Sequence, residues 1–333
     1  MNNRPPILLL YGIDERTIPV DAEVTRSTVG QVERVLRNRG WRVARSKITR
    51  DVAAALDGYD PSNWLVLNLC EGSPSQAFYY AAVAAELERR GYTFTGSCAE
   101  VLHETQSKPG IKRLLAAGGV PTPAWAAAET AAELEFDCFP AIVKPATEHC
   151  SFGITRDSVV LDLAGARARA AVLNGLYEGG VIIEEFLDSE EYAISLWGPD
   201  DALEVLGISL IRYDAFPELR DRLCTFEAKW LPETPAFKLT PPDCRSLIPP
   251  ELRAAVEALA VSAHRACGIR DYSRIDIRRR HGVPMVLDVN GNCDVGKDGG
   301  FSHTATTAGW RYGAMIERLV LLAAARLAPC VTA

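Results

Sequence analysis

Two neighbouring segments constrain this chain more than any other stretch: Tyr272-Ser273-Arg274-Ile275-Asp276-Ile277 and, beyond a turn through His281-Gly282, Pro284-Met285-Val286-Leu287-Asp288-Val289-Asn290. Both alternate with a period of two, the pattern of strands packed on one face. The alternation turns Ile275 and Ile277 one way and Arg274 and Asp276 the other, and it sets Leu287 and Val289 against Asp288 and Asn290. Paired as a hairpin, the segments collect two carboxylates, an amide oxygen and a guanidinium on one face. Packing does not account for such a face, although a hydrated, solvent-facing hairpin would tolerate it. Hard oxygen donors suit Mg²⁺, which takes one or two carboxylates together with phosphate oxygens and water. Asp276, Asp288 and Asn290 are the metal candidates, with the solvated hairpin as the alternative.

A second signal lies upstream, where Lys144 ends the apolar run Phe139-Pro140-Ala141-Ile142-Val143. Pro145 and the turn Thr147-Glu148-His149-Cys150-Ser151-Phe152-Gly153 follow. Small polar turns of this kind can point backbone amides at phosphate oxygens. The turn holds one glycine, and a lysine at a strand end is by default a snorkelling surface residue, so this signal gains force only in company.

With 333 residues, 48% hydrophobic and 24% charged, the chain can form two or three units with a sizeable core. Its net charge of −7 argues against a broad nucleic-acid surface, and Arg278-Arg279-Arg280 reads as a solvated turn. Nine dispersed cysteines without a Cys-x-x-Cys pair fit neither a zinc ribbon nor a disulfide framework. The apolar run at residues 7–10 is too short for a signal peptide, and residues 319–325 are too few to span a bilayer. The expectation is a soluble cytoplasmic protein with neither nucleic acid nor membrane as partner.

Along the first hundred residues, strands at 7–10, 64–69 and 92–95 alternate with two helices. One helix carries Val24, Val32, Val35 and Leu36 and stops near Gly40; the other covers residues 76–90. This βαβαβ pattern favours a mostly parallel sheet. Pro121 and Pro123 mark a linker, and strands follow at 141–144, 181–185, 192–197 and 205–210. The Ala-rich stretches 81–86 and 125–132 read as helix-friendly filler. Residues 212–250, with seven prolines, read as a long loop of the kind that forms a lid. A helix over 251–267, with Leu252, Val256, Leu259 and Ala263 on one side, precedes two strands and a C-terminal helix.

Further landmarks are Tyr92-Thr93-Phe94-Thr95-Gly96-Ser97, Lys108 with Lys112-Arg113-Leu114-Leu115, Pro121-Thr122-Pro123, Val181-Ile182-Ile183-Glu184-Glu185-Phe186-Leu187, Glu227-Ala228-Lys229 and Asp288-Val289-Asn290-Gly291-Asn292. In order and spacing, the set resembles the ATP-grasp superfamily in its D-alanine:D-alanine ligase branch, from about residue 65 to residue 320. The resemblance implies a mixed α/β and α+β fold in three parts. An N-terminal parallel-sheet domain (1–103) helps to bind substrate, and antiparallel sheets of the central (104–195) and C-terminal (196–333) parts clasp ATP. It implies ATP and Mg²⁺, or Mn²⁺ in its place, as cofactors and a homodimer acting on small-molecule carboxylate and amine substrates.

By the same resemblance, Lys108 and Lys144 are the nucleotide-binding lysines, Glu184, Glu185, Phe186 and Leu187 meet adenine, Glu191 binds ribose, and Leu287 is the apolar floor under adenine. Lys229 is the loop lysine of the terminal phosphate, Arg274 the stabiliser of the tetrahedral oxyanion, and Ser151 completes the catalytic set. Asp276, Asp288 and Asn290 fall on the magnesium positions. The implied chemistry is phosphoryl transfer to a carboxylate, then attack by an amine on the acylphosphate. Cys293 reads as a packing thiol.

Departures from the family pattern cluster in the substrate regions. Glu15 stands in a different turn after the first strand, and Leu69-Cys70-Glu71-Gly72 replaces a Leu-His-Gly segment. Trp230 takes the place of a tyrosine, and Lys297 and Ser302 lie in an altered loop. These residues are the substrate candidates, and the expectation is a carboxylate-amine ligase for an amino-acid-like substrate other than two D-alanines, within secondary metabolism. The alternatives are a genuine D-alanine:D-alanine ligase, a phosphotransferase on the same clasp, and a nucleotide binder without catalysis. Gly291 to Asp298 nearly writes a P-loop but ends in an acid, and no G-x-G-x-x-G follows the first strand.

Overall fold

The computed structural model describes residues 4–13, 17, 19–70 and 78–327. Ile7, Leu8, Leu9 and Leu10 are all fully buried, an unbroken apolar run that suits a strand covered on both faces. They open β1 (Ile7–Gly12), followed by α1 (Pro19–Asn38), β2 (Val43–Ile48), α2 (Val52–Leu56), β3 (Leu65–Asn68), α3 (Tyr79–Arg89) and β4 (Thr93–Phe94). The strands form one parallel sheet in the order β2-β1-β3-β4. Ile7 and Leu9 share a core with Val29, Val32 and Leu36 of α1, whereas Leu8 and Leu10 face Val83, Ala84 and Leu87 of α3. Strand β2 is an addition to the sequence reading: it is an edge strand with only Ile48 buried, so its Arg45, Ser46 and Lys47 hide it from hydropathy. Helices α4 (Ala99–Thr105) and α5 (Lys108–Ala117) follow, and α5 starts on Ser107, whose side chain accepts from Gly110 N at 3.2 Å.

The second sheet comprises β5 (Trp125–Ala128), β6 (Ala141–Pro145), β7 (Val159–Val160) and, after α6 (Leu163–Asn174), β8 (Val181–Glu185). Its order is β5-β8-β6-β7 with every pair antiparallel. Helix α6 buries Ala166, Ala170 and Leu173 against Ala141, Val143, Val181 and Ile183. In the Ala-rich stretch 125–132, read as helix-friendly filler, Trp125–Ala128 form the edge strand β5; cross-strand pairing with β8 outweighs alanine's helix propensity.

The third sheet is built from β9 (Glu191–Gly198), β10 (Glu204–Ile211) and, after α7 (Phe226–Trp230), α8 (Pro235–Leu239) and α9 (Pro250–Ala266), the hairpin β11 (Asp271–Arg280) and β12 (Val283–Asn290). The order is β10-β9-β11-β12, all antiparallel. The hairpin turns on His281 and Gly282, both at positive φ (49° and 85°), as a tight two-residue loop requires. Residues 212–250 are more ordered than a lid loop: α7 and α8 are capped by Thr225 and Thr234, and Asp243 exchanges backbone bonds of 2.9 and 3.0 Å with Leu210. Helices α10 (Gly300–Thr307) and α11 (Tyr312–Ala324) close the fold, and Ile316, Leu319 and Val320 join the core of Ile7 and Leu9. Among the described residues, no helix is long and apolar enough to cross a membrane.

Candidate active site

The predicted hairpin forms, and its register pairs Asp276 with Asp288 and Arg274 with Asn290. Ile275, Ile277, Val286 and Val289 enter the core under α9. Here the alternation needs a correction. A bulge between Asp276 and Ile277 pairs Ile277 with Val286, so Val286 takes the core place expected for Leu287, which is left half-buried outside it. Arg274 forks onto Asp276, with Nε to Oδ1 at 2.8 Å and Nη2 to Oδ2 at 2.9 Å, and Asp276 is the main reason its guanidinium is held above the usual range. Burial works to raise the Asp288 carboxyl, but Lys108, His149 and Lys144 outweigh it and hold the group below its ordinary value. Asn290 Oδ1 accepts from Asn292 N at 3.0 Å.

Across from this face, Glu184 is buried between two lysines, with Lys144 Nζ at 3.1 Å and Lys112 Nζ at 3.6 Å. Lys112, fully buried, also donates to Thr122 Oγ1 at 2.8 Å and the Leu287 carbonyl at 2.9 Å, tying α5 to β12. Lys108, one turn earlier, donates to the Glu148 carbonyl. Burial pushes Lys108 and Lys112 below the lysine value, while Lys112 and Lys144 overcome burial to keep the Glu184 carboxyl low. Three lysines against Glu184 and Asp288 leave a positive surplus, which an anion would relieve. Glu184 Oε1 is buried without a partner.

The arginine run is not a solvated turn. Arg278 is only 3% exposed; its Nε meets Glu191 Oε2 at 3.1 Å, and Nη1 donates to the carbonyls of Leu187 at 2.6 Å and Arg222 at 2.9 Å. Its guanidinium also lies 4.4 Å from the Tyr213 ring centroid. Arg279 and Arg280 pair with Glu190 at 2.6 Å and Glu185 at 2.8 Å. Three consecutive cations thus fix the 185–191 segment, and Phe186 packs with Ile142, Val159 and Leu223. Charge counting missed this because the matching carboxylates lie about ninety residues away in sequence.

In the turn after β6, Cys150, Ser151 and Gly153 all take positive φ (55°, 63° and 70°), and a Cβ on Gly153 would come within 2.7 Å of Pro145. Ser151 Oγ donates to the Cys224 carbonyl at 2.8 Å, and Phe152 meets the Phe226 ring at 5.2 Å, so the turn abuts the 212–250 segment. Lys229 of α7 is half-buried, where Arg274, Asp276 and Glu191 act on its charge. His149, given no role in the sequence reading, lies where Lys108, Asp288 and Arg274 act on it.

The substrate candidates are less well gathered. Lys297 is exposed, and Ser302 is buried with its hydroxyl on the Val295 carbonyl at 3.2 Å. Glu15, Glu71 and the Trp230 side chain lie outside the described residues. A partly open cleft lies between α1 and the turn after β12, lined in part by Thr25, Thr28, Asn68, Cys70, Asn292 and Asp294. Burial pushes the Cys293 thiol up to about 12, consistent with packing rather than nucleophilic work.

Among the described residues, no three His, Cys, Asp or Glu side chains form a metal cage. The donor set is two carboxylates and an amide, which fits Mg²⁺, since that ion keeps places for water and phosphate.

A parallel sheet followed by two antiparallel sheets that bring lysines opposite a carboxylate hairpin is the architecture of an ATP-grasp protein. The crystal structure of D-alanine–D-alanine ligase from Bacillus anthracis complexed with ATP matches it with a TM-score of 0.76 at 19% identity, covering 97% of this chain and 98% of that one. The family model for the D-ala D-ala ligase C-terminus matches residues 119–321. The chain belongs to this D-alanine–D-alanine ligase family. It is 31% identical over 258 residues to an uncharacterized protein of Sinorhizobium fredii, covering 77% of this chain and 73% of that one. It is 28% identical over 249 residues to the D-alanine–D-alanine ligase of Cupriavidus necator, covering 70% and 71%.

Proposed function

We propose that this protein is an ATP-dependent carboxylate-amine ligase, which activates an acid as its acylphosphate and joins it to an amine with release of ADP and phosphate. The observation that carries the reading is the juxtaposition of a positive cluster, Lys108, Lys112 and Lys144 around Glu184, with the acidic face of Asp276 and Asp288. Such a pair of sites suits polyphosphate accompanied by a divalent cation. Asp276, Asp288 and Asn290 would hold Mg²⁺, or Mn²⁺ in its place, which neutralises charge on nucleotide phosphates.

The chain's own groups divide the remaining work. Lys108 and Lys144 orient the phosphates, Lys229 meets the terminal one, and the backbone of the turn at Ser151 covers them. The 184–187 segment and Leu287 take adenine, and Glu191, oriented by Arg278, takes ribose. Arg274, preorganised by its fork onto Asp276, stabilises the oxyanion formed when the amine attacks. Oxide cannot leave a carboxylate, whereas phosphate leaves an acylphosphate readily, so the activation makes the second step possible.

The substrates are amino-acid-like and, on the departures around Cys70, Trp230 and Lys297, other than two D-alanines, as in secondary metabolism. Because relatives carry the name D-alanine–D-alanine ligase, D-alanine is the reference compound. The test is ADP release with Mg²⁺, ATP and a panel of D- and L-amino acids, with products weighed by mass spectrometry. Amide formation from another acid and amine, with D-alanine silent, is the expected result. Rapid D-alanine dipeptide formation would overturn the substrate reading, and a product that keeps phosphate would overturn the ligase reading.

A further inference from the structure

A continuous chain of hydrogen bonds runs through the turn after β6. Phe152 N donates to the His149 carbonyl at 3.0 Å, and Ile154 N donates to the Ser151 carbonyl at 3.1 Å. The chain ends at the Gly153 carbonyl, which accepts from Arg169 Nη2 of α6 at 2.8 Å. Each link joins the N–H of one peptide to the C=O of another, so the bonds polarise one another, and the guanidinium at the end strengthens the series. Ser158, fully buried, completes the anchor. Its hydroxyl donates to the same Gly153 carbonyl at 3.3 Å, accepts from Arg169 Nη2 at 3.3 Å, and accepts from Thr155 N at 3.1 Å. On another side, Pro145 and the Tyr177 ring stand 2.7 and 2.9 Å from where a Gly153 Cβ would be, so the glycine is closely packed there too.

The alternation leaves a second set of groups. The amides of Ser151 and Gly153 have no acceptor among the described residues, and Cys150, Ser151 and Gly153 all take positive φ. Backbone turned in this way gathers N–H groups around an anion. The Ser151 hydroxyl is already engaged on the Cys224 carbonyl, so backbone N–H is what the turn has to offer. Arg169 is half-buried and has no carboxylate partner among the described residues, whereas its neighbour Arg167 pairs with Glu135. A half-buried cation without a counter-ion is costly to keep, and here its charge is spent on a single turn of backbone.

We propose that Arg169 is a positioning residue for the nucleotide: by holding the Gly153 carbonyl on the α6 side of the turn, it keeps the Ser151 and Gly153 amides presented to the phosphate chain of ATP. The assignment rests on the reading of this turn as the cover of the phosphates, and it extends that reading to a residue outside the nucleotide site.

Two variants test it: Arg169→Met, which keeps the aliphatic bulk and removes the donor, and Ser158→Ala, which removes the second hydrogen bond to the same carbonyl. Titration calorimetry without acid or amine gives Kd for ATP with Mg²⁺ and, separately, for adenosine, which has the base and ribose but no phosphate. Arg169→Met should weaken ATP binding about tenfold and Ser158→Ala about threefold, with adenosine within about twofold of wild type in both. A merely structural role would weaken both ligands together. An unchanged Kd for ATP in Arg169→Met, or in Ser158→Ala should the arginine variant not fold, overturns the assignment, as does equal weakening of ATP and adenosine. Wild-type protein that binds ATP no more tightly than adenosine overturns the phosphate reading of the turn and the assignment with it, and the wild-type titration alone reveals that case.

Discussion

Asp276 and Asp288 are direct partners across the β11–β12 pair, so two carboxylates stand side by side where the hairpin bulges. Like charges placed directly opposite weaken a sheet. Here the fork of Arg274 offsets one carboxylate, and Lys108 and Lys144 hold the other ionised. A structural hairpin gains nothing from this arrangement, whereas a site for a cation and a polyphosphate needs it.

Replacing Asp288 with Asn keeps the shape and removes one charged donor. Turnover should fall by about 10²-fold or more, in line with losing one strong electrostatic contact, and the Mg²⁺ concentration for half-maximal rate should rise. Steady-state rates across a Mg²⁺ titration give both quantities; unchanged values would remove Asp288 from the metal set.

Glu184 pairs with both Lys112 and Lys144. Glu184→Ala leaves the buried Lys112 and the half-buried Lys144 without their shared counter-ion, and removing one partner of such a cluster costs about 3–5 kcal/mol. A large drop in melting temperature, measured with and without ATP, is the expected result. A melting temperature equal to wild type would show the triad to be energetically idle.

Arg278 reaches Glu191, two carbonyls and the Tyr213 ring at once, a geometry that one ammonium cannot reproduce. Arg278→Lys should raise KM for ATP by about tenfold, the cost of one misaligned hydrogen-bonded carboxylate, with a smaller effect on kcat. Equal loss in both parameters would argue that Arg278 serves the chemical step instead.

The hairpin was legible because its alternation is local: Arg274, Ile275, Asp276 and Ile277 declare their faces within four residues. The misplacement of Leu287 came from the same rule, since a bulge adds one residue and no propensity marks it. Arg278 and Glu184 were hard to read for another reason. Their partners lie dozens of residues away, and a charged residue in a strand looks the same whether it faces water or a buried counter-ion.

His264 offers a test of pH linkage away from the proposed metal face. Its Nδ1 lies 2.8 Å from Ser273 Oγ between α9 and β11, and burial pushes the ring from 6.5 to about 4. The fold keeps the ring neutral where the unfolded chain takes up a proton. Its contribution is therefore present above pH 6.5 and fades as pH falls toward 4, by up to about 1.4 kcal/mol per pH unit. His149, also held at about 4, adds to the same window. Chemical denaturation between pH 7 and pH 4 should show a shallower loss for His264→Gln than for wild type; parallel curves would contradict the linkage.

The most direct test of the central claim follows oxygen. With ¹⁸O in the carboxylate of the acid that the panel selects, an acylphosphate route transfers one labelled oxygen to the released phosphate, because that oxygen bonds to phosphorus before the amine displaces it. Mass spectrometry of the phosphate should find one ¹⁸O for each amide formed. Amide formation accompanied by unlabelled phosphate would contradict the account.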